Sequence, residues 1–184
     1  MTLDTLSAAI KTTLSKKMVK DLAGQIVTAN FSVEELIDLT FYQEDQMRFR
    51  ASWILENIYI DHTIEFGPHS EYFLDKFHQQ GNLSCMRHFG KILALMSNKK
   101  APAYIKKTLD SYQIDILVET AFNWLISEQV PVAVKSHCLN ILANLSSKKE
   151  WIKEELSETM DFLVDKESVA FYAKVKQIRK QLKR

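Results

Sequence analysis

The chain has 184 residues, of which 46% are hydrophobic and 26% charged, proportions typical of a soluble globular protein and unlike those of a disordered chain. Its net charge is +1: residues 1–92 carry 9 Lys or Arg against 12 Asp or Glu, and residues 93–184 carry 15 against 11. This weak gradient lacks the concentrated positive charge of a typical nucleic-acid-binding protein. The chain has only four glycines and three prolines, and this scarcity of helix-breaking residues favours long helices. Its two cysteines are too few for a disulfide framework.

Apolar residues recur with helical rather than strand spacing along almost the whole chain. Met47, Ala51, Ile54 and Ile58, for example, lie on one face of a helix. The pattern predicts eleven helices, near residues 3–14, 16–29, 33–42, 45–60, 69–79, 83–97, 102–110, 113–128, 131–146, 149–162 and 167–182.

Two serines carry the signal of a helix start. Ser32 and Ser147 each precede a glutamate by three residues, which is the spacing of a capping box. No segment approaches the roughly 18 apolar residues of a membrane span, and residues 1–17 lack the apolar run of a signal peptide. We therefore expect a cytoplasmic protein.

One helical pattern recurs four times. Residues 85–100 aligned on 134–149 are identical at seven of 16 positions, including a histidine, a serine and a Lys-Lys pair. Two weaker matches align residues 54–58 with 141–145 and residues 168–171 with 131–134. The copies are 38, 49 and 37 residues apart, and the long interval leaves room for an additional helix near 102–110. The shared polar positions argue against a chance match between amphipathic helices.

A helix pair repeated at about 40 residues is typical of an ARM/HEAT-type solenoid, in which each pair buries its apolar face against its neighbours. The sequence therefore predicts an all-α fold, a right-handed HEAT-like α-α superhelix of about five helix pairs in a single domain over residues 1–184. Leu55, Leu93 and Leu142 occupy equivalent positions in three copies, and we expect all three to be buried.

Five segments carry a family resemblance: Arg50-Ala-Ser-Trp53-Ile-Leu-Glu56, Ala121-Phe-Asn-Trp124-Leu-Ile126, Val132-Ala-Val-Lys-Ser136, Glu150-Trp-Ile152 and Ser168-Val-Ala-Phe-Tyr-Ala-Lys174. Through them most of the chain resembles small bacterial HEAT-like helical proteins without an established function. Some of those proteins are labelled adenylosuccinate lyase, which implies a mobile loop of the form Ser-Ser-x-Met-Pro-x-Lys-x-Asn. Here Ser146-Ser147 is followed by Lys-Lys-Glu-Trp, so the resemblance assigns no catalytic residue.

No other motif predicts catalysis, a cofactor or a metal. His62, His69 and His78 lie among acidic residues, but their spacing matches no metal-ligand pattern and favours a solvated loop followed by a polar helix. Walker A, dinucleotide and G-x-S-x-G motifs are all missing from the sequence. Cys85 and Cys138 are predicted to be buried thiols. The basic C-terminus favours either a solvated helix end or a patch for an anionic partner.

A polar stripe beside the apolar face of the recurring helix is the predicted partner-binding surface. Its residues are Arg50, Trp53 and Asn57 in the first copy, His88 and Lys91 in the second, His137, Asn140 and Asn144 in the third, and Lys174 in the fourth. Helical solenoids line their concave surface with one helix of each pair. In the alternative interpretation, Trp53 packs between repeats and the remaining residues are ordinary solvated surface.

These features favour a non-enzymatic scaffold that binds another protein or peptide along its concave helical surface, with no cofactor and no membrane partner. Two alternatives stay open. One is a nucleic-acid-associated helical-repeat protein, which would need a strongly basic concave face, whereas the stripe contains only Arg50, Lys91 and Lys174 as cations. The other is an enzyme or small-ligand binder, as the lyase label of some relatives suggests. The oligomeric state is not predicted.

Overall fold

A computed structural model describes residues 3–12, 14–29 and 31–183. These ranges form twelve α-helices and no β-strand. The helices are α1 Leu3–Lys11, α2 Lys16–Thr28, α3 Val33–Leu39, α4 Asp45–Asp61, α5 Thr63–Phe66, α6 Ser70–Phe77, α7 Leu83–Met96, α8 Ala103–Ser111, α9 Asp115–Ile126, α10 Val132–Leu145, α11 Glu150–Leu163 and α12 Val169–Leu182, with a 3₁₀ turn at Gly67–His69. In the described part of the chain, none of them is long and apolar enough to cross a bilayer.

All eleven predicted helices are present, and the structure adds one that the sequence pattern does not predict. This helix, α5, has four residues and is too short to show a helical period. It is held by tertiary packing, because the fully buried ring of Phe66 meets the ring of Tyr59 edge-on, with the centroids 5.0 Å apart. The segment predicted as a loop is therefore partly helical.

One of the two predicted helix caps forms. At the start of α3, the Ser32 hydroxyl accepts a hydrogen bond from the backbone N–H of Glu35 at 3.3 Å. The prediction at Ser147 is wrong, because α11 begins only after Lys149 and has no side-chain cap. Lys149 instead forms an ion pair with Asp115 of α9. Lys149 has an extended backbone at the position that precedes α11.

The first compact unit, Met1–Ile92, is built around α4. Helices α1, α2 and α3 all pack on it. Ala51, Ile54, Leu55 and Ile58 supply the fully buried face that the helical spacing predicts. Because α4 is covered on several sides, some polar residues between these positions are buried as well, and they require hydrogen-bond partners inside the unit.

Aromatic rings fill the rest of this core. Phe73 lies at the centre, with ring centroids 5.7 Å from Phe66, 6.4 Å from Phe77 and 5.0 Å from Phe89. All four rings are fully buried. Edge-on and tilted pairs at these separations are the arrangements that aromatic side chains prefer. The aromatic cluster thereby connects α6 and α7 to the short helix α5.

The second compact unit, Leu93–Arg184, is built around α10. Helices α9, α11 and α12 pack on it, and Val134, Cys138, Ile141 and Leu142 form its buried face. The sequence alignment matches α10 with α4, and both helices hold the central position in their own units. Leu55, Leu93 and Leu142 are fully buried, as predicted. The additional helix predicted near residues 102–110 is α8.

Candidate functional site

The α4 part of the predicted stripe makes contacts within the first unit. Arg50 Nη1 donates a hydrogen bond to the backbone carbonyl of Ile10 at 2.7 Å, which ties α4 to the end of α1. Asn57 is buried, and its Nδ2 donates to the backbone carbonyl of Trp53 at 2.8 Å. Trp53 itself is half-buried. Both Arg50 and Asn57 therefore have structural contacts that compete with a binding role.

The structure brings His88 and Lys91 of α7 together on one carboxylate of α4. His88 Nδ1 lies 2.6 Å from Glu56 Oε2, and Lys91 Nζ donates to Glu56 Oε1 at 2.5 Å. Burial raises the pKa of Glu56, but the hydrogen bonds and positive charges of His88 and Lys91 outweigh it and hold this pKa below its ordinary value. Glu56 is therefore a carboxylate that fixes two predicted site residues.

The orientation of the His88 ring follows from this contact. Nδ1 points at the carboxylate, so the proton of a neutral ring lies on Nδ1, and Nε2 is buried without a hydrogen-bond partner among the described residues. One face of the ring is covered by Phe49, with centroids 5.4 Å apart. Glu56 and Phe49 thus hold the ring on two sides.

Phe49 and Trp53 form an aromatic surface on α4. Their ring centroids are 6.1 Å apart, and Phe49 remains 36% exposed although it contacts two other rings. Arg50 lies on the same helix, and the Lys91 side chain is 39% exposed. We call Phe49, Arg50, Trp53, His88 and Lys91 the aromatic patch.

The remaining stripe residues lie in the second unit. His137, Asn140 and Asn144 are half-buried and spaced three and four residues apart on α10, so they share one side of that helix. Asn144 Nδ2 donates to the Ala94 carbonyl at 3.2 Å, and its Oδ1 accepts from Gln181 Nε2 at 3.0 Å. Asn144 therefore joins α10 to α12 and to the end of α7.

Lys174 belongs to α12 and lies beside a polar neighbour. Its Nζ donates to Gln177 Oε1 at 2.9 Å, and partial burial lowers the pKa of its ammonium group. Both residues belong to one turn of α12. Among the described residues, no direct hydrogen bond joins Lys174 to Asn140 or Asn144.

A cleft in the second unit opens at the ends of several helices. It consists of two adjoining hollows of about 540 and 530 Å³, which share Asn98, Lys99, Asn144 and Gln181 in their linings. The charged residues that line it are Lys99, Lys100, Lys106, Lys148, Lys153, Lys180 and one acid, Asp110. We call this region the lysine cleft. Asn144 is the only predicted stripe residue in its lining.

A profile of the HEAT repeat domain matches residues 6–182. The chain belongs to the HEAT repeat domain family. A comparison with curated proteins finds no match. The family match and the helices of both units confirm the predicted all-α helical-repeat fold. HEAT repeat domains typically act as scaffolds that bind other proteins.

The other side chains that the sequence singles out form no further site in this HEAT repeat domain. Among the described residues, no three His, Cys, Asp or Glu side chains are placed to hold a metal ion. His69 Nδ1 instead contacts Glu34 Oε1 at 3.2 Å. Cys85 and Cys138 are buried as predicted, and burial raises the pKa of both thiols.

Sequence reasoning missed two residues that shape the aromatic patch. Glu56 lies on an otherwise apolar face of α4, and an acid in that position is a signal that it has buried partners. Phe49 precedes Arg50 on the HEAT repeat helix, and an aromatic residue outside the buried face gives a weaker signal. Three lysines of the cleft, Lys99, Lys100 and Lys148, belong to the matching Lys-Lys pairs of the sequence, but the sequence did not predict that they share a cleft.

Glu56 predicts a pH dependence that a variant isolates. Its pKa is lowered in the folded state, so its contribution to stability is present above its ordinary pKa near 4.5 and is lost as the pH falls through the folded-state value. We expect Glu56→Gln to reduce the unfolding free energy by about 1.5–3 kcal/mol near pH 7, and the difference from wild type to shrink towards about pH 3.

Urea unfolding across this pH range measures the effect. Glu65→Gln is the control, because Glu65 is exposed and forms no ion pair among the described residues. A difference between wild type and Glu56→Gln that stays constant from about pH 7 to about pH 3 would contradict the assignment of Glu56 as a stabilising carboxylate.

Proposed function

We propose that the chain is a non-enzymatic protein-interaction scaffold that binds a partner protein or peptide through the aromatic patch on α4 and α7. The observation that carries the proposal is Phe49, an aromatic ring that stays 36% exposed between Trp53 and His88. Aromatic and arginine side chains dominate the binding energy of protein interfaces. The family, whose members typically bind proteins, supports the same function.

The rigidity of the patch also supports this function. His88 is fixed by Glu56, Phe49 packs on the His88 ring, and Arg50 is anchored on the Ile10 carbonyl. Side chains already held in one conformation lose less entropy when a partner binds. The patch therefore offers large contact area at a low conformational cost. The wider stripe that extends to His137, Asn140, Asn144 and Lys174 stays a prediction.

Burial argues against a catalytic role for the Glu56–His88 pair. The Glu56 side chain is 10% exposed and the His88 side chain 8% exposed, so a substrate has little access to the carboxylate or to Nε2. A general base must come within hydrogen-bond reach of the proton that it removes. The pair is better suited to orienting its neighbours, which supports the scaffold rather than the enzyme alternative.

A photoreactive phenylalanine analogue at position 49 tests the proposal directly. In extract of the native cell, we expect it to cross-link a discrete partner protein, and we expect unlabelled wild type to compete for that partner. Phe49→Ala should compete at least about tenfold less well, because an aromatic anchor contributes more than about 1.4 kcal/mol to an interface. Because Phe49 is partly exposed, Phe49→Ala should keep a melting temperature within a few degrees of that of the wild type.

The matched control places the same analogue, and the same alanine substitution, at Phe162. This ring is more exposed, at 62%, and lies in the second unit. If simple hydrophobic adhesion causes the capture, position 162 should give at least as many adducts as position 49. Identical adducts at both positions, or full competition by Phe49→Ala, would overturn the proposal.

A further inference from the structure

The lysine cleft holds positive charge that the described chain does not neutralise. Lys148 pairs with Asp110 at 2.5 Å. The other lysines that line the cleft, Lys99, Lys100, Lys106, Lys153 and Lys180, form no ion pair with any described residue. Gathering like charges in one concave region raises their mutual repulsion, and an anion that enters the cleft relieves it.

Helix dipoles reduce this charge without cancelling it. Most lining residues lie in or just beyond the last turns of α7, α8, α10 and α12, and each of these ends contributes roughly half a negative charge. Lys153 lies in the first turn of α11, whose N-terminal end contributes roughly half a positive charge. Among the described lining residues, six lysines and one aspartate, with four C-terminal helix ends and one N-terminal helix end, leave an excess of about three to four positive charges. A lysine near the C-terminal end of a helix is common, but the positive charge of six lysines around one cleft exceeds the negative partial charge of the helix ends.

Helix α8, which lies in the long interval between two copies of the recurring helix, forms one wall of the cleft. Spacing between copies of the recurring helix is 38 and 37 residues elsewhere and 49 where α8 is inserted. From α8 come Lys106, Leu109 and Asp110 of the lining. Ile105, fully buried, anchors the helix. The insertion therefore adds a wall that the regular spacing would not supply.

The size and chemistry of the cleft select a compact ligand. Hollows of about 540 and 530 Å³ lie within the usual range for small-molecule sites. The half-buried Leu182 gives one hollow some accessible apolar surface beside the lysines. Among the described residues, neither lining contains an aromatic side chain or an arginine that could stack on successive bases of a nucleic acid.

We propose that the lysine cleft binds a small ligand that carries two or more linked phosphates. Lysine ammonium groups act as point charges for phosphate oxygens, and several around one cleft match several phosphates on one ligand. A ring or other apolar portion of the ligand would contact the apolar surface at Leu182. This site is separate from the aromatic patch, so either proposal can fail without the other.

Calorimetric titration of the full chain at low ionic strength tests the site. The probes are tripolyphosphate and adenosine triphosphate, which distinguish a free polyphosphate from a phosphorylated compound with a ring. We expect saturable binding of both, weakening as salt is raised. Lys99→Gln combined with Lys106→Gln should weaken it at least about tenfold, because each lost charge contact contributes several-fold. Tighter binding of adenosine triphosphate would support contact with the apolar surface at Leu182.

The control is Lys17→Gln combined with Lys107→Gln, which removes the same total charge. Both residues are exposed outside the cleft, and Lys107 is the direct neighbour of Lys106 on α8. We expect less than a twofold change in affinity. Equal weakening by the two double variants, or no saturable binding to wild type, would overturn the proposal. Binding of a 12-nucleotide single strand without binding of either small probe would also overturn it and identify a nucleic-acid surface.

Discussion

Phe73→Ala should lower the free energy of unfolding by about 3–5 kcal/mol, the usual cost of deleting a fully buried phenylalanine ring. Its ring contacts three others in the aromatic cluster, those of Phe66, Phe77 and Phe89. Removal leaves a cavity bordered by rings from three helical segments. Because rigid rings of a packed core collapse poorly into such a space, most of the lost contact energy stays lost.

Chemical denaturation followed by circular dichroism measures this loss. Phe162→Ala is the matched control, since its ring is 62% exposed and has Lys166 Nζ over its face at 3.2 Å. We expect that substitution to cost no more than about 1 kcal/mol. Equal losses for the two variants would mean that the aromatic cluster is not a core of the first unit.

Glu167→Gln should destabilise the second unit by about 3–5 kcal/mol, because it leaves a buried ammonium group without its counter-ion. Lys135 of α10 is only 2% exposed and forms an ion pair with Glu167 just before α12. Lys135→Met removes the charge and keeps most of the apolar volume. We expect that change to cost less than Glu167→Gln, because the carboxylate that it leaves unpaired is 17% exposed and can be hydrated, whereas the Lys135 side chain is 2% exposed.

The double variant Lys135→Met with Glu167→Gln separates charge from shape. Without the buried cation, the glutamine no longer leaves an uncompensated charge, so the double variant should recover most of the stability that Glu167→Gln loses. Urea unfolding at pH 7 provides the comparison. Additive losses in the double variant would show that the two side chains act independently and that no buried pair exists.

Helix positions were largely predictable because the apolar spacing that defines them is local. The repeat made Leu55, Leu93 and Leu142 predictable too, since equivalent positions bury the same face. The short helix α5 was not predictable, because the packing of Phe66 rather than a helical period stabilises it. The cap predicted at Ser147 does not form, because α11 begins after Lys149 rather than after Ser147.

The candidate sites were less predictable than the helices. The sequence shows which residue types form the stripe, but it does not show which hydrogen bonds and ion pairs their side chains make. Arg50 binds a carbonyl 40 residues away, and His88 and Lys91 meet a carboxylate more than 30 residues away. Lys135 is a second example. A lysine in an amphipathic pattern predicts a solvent-exposed position, but this one is buried in an ion pair with Glu167, which the sequence pattern does not show. Burial of polar groups is decided by tertiary packing, which a single periodic pattern does not encode.

The buried thiols have a practical consequence for labelling. Cys85 and Cys138 are covered by the cores of their units, and the raised pKa of each keeps its sulfur protonated near neutral pH. Alkylating reagents attack the thiolate, so the folded protein is slow to react at both positions. A cysteine introduced at an exposed site such as Lys107 would therefore accept a fluorophore selectively, with both native cysteines left in place. Spectroscopic studies of ligand or partner binding can thus use the natural sequence with one substitution.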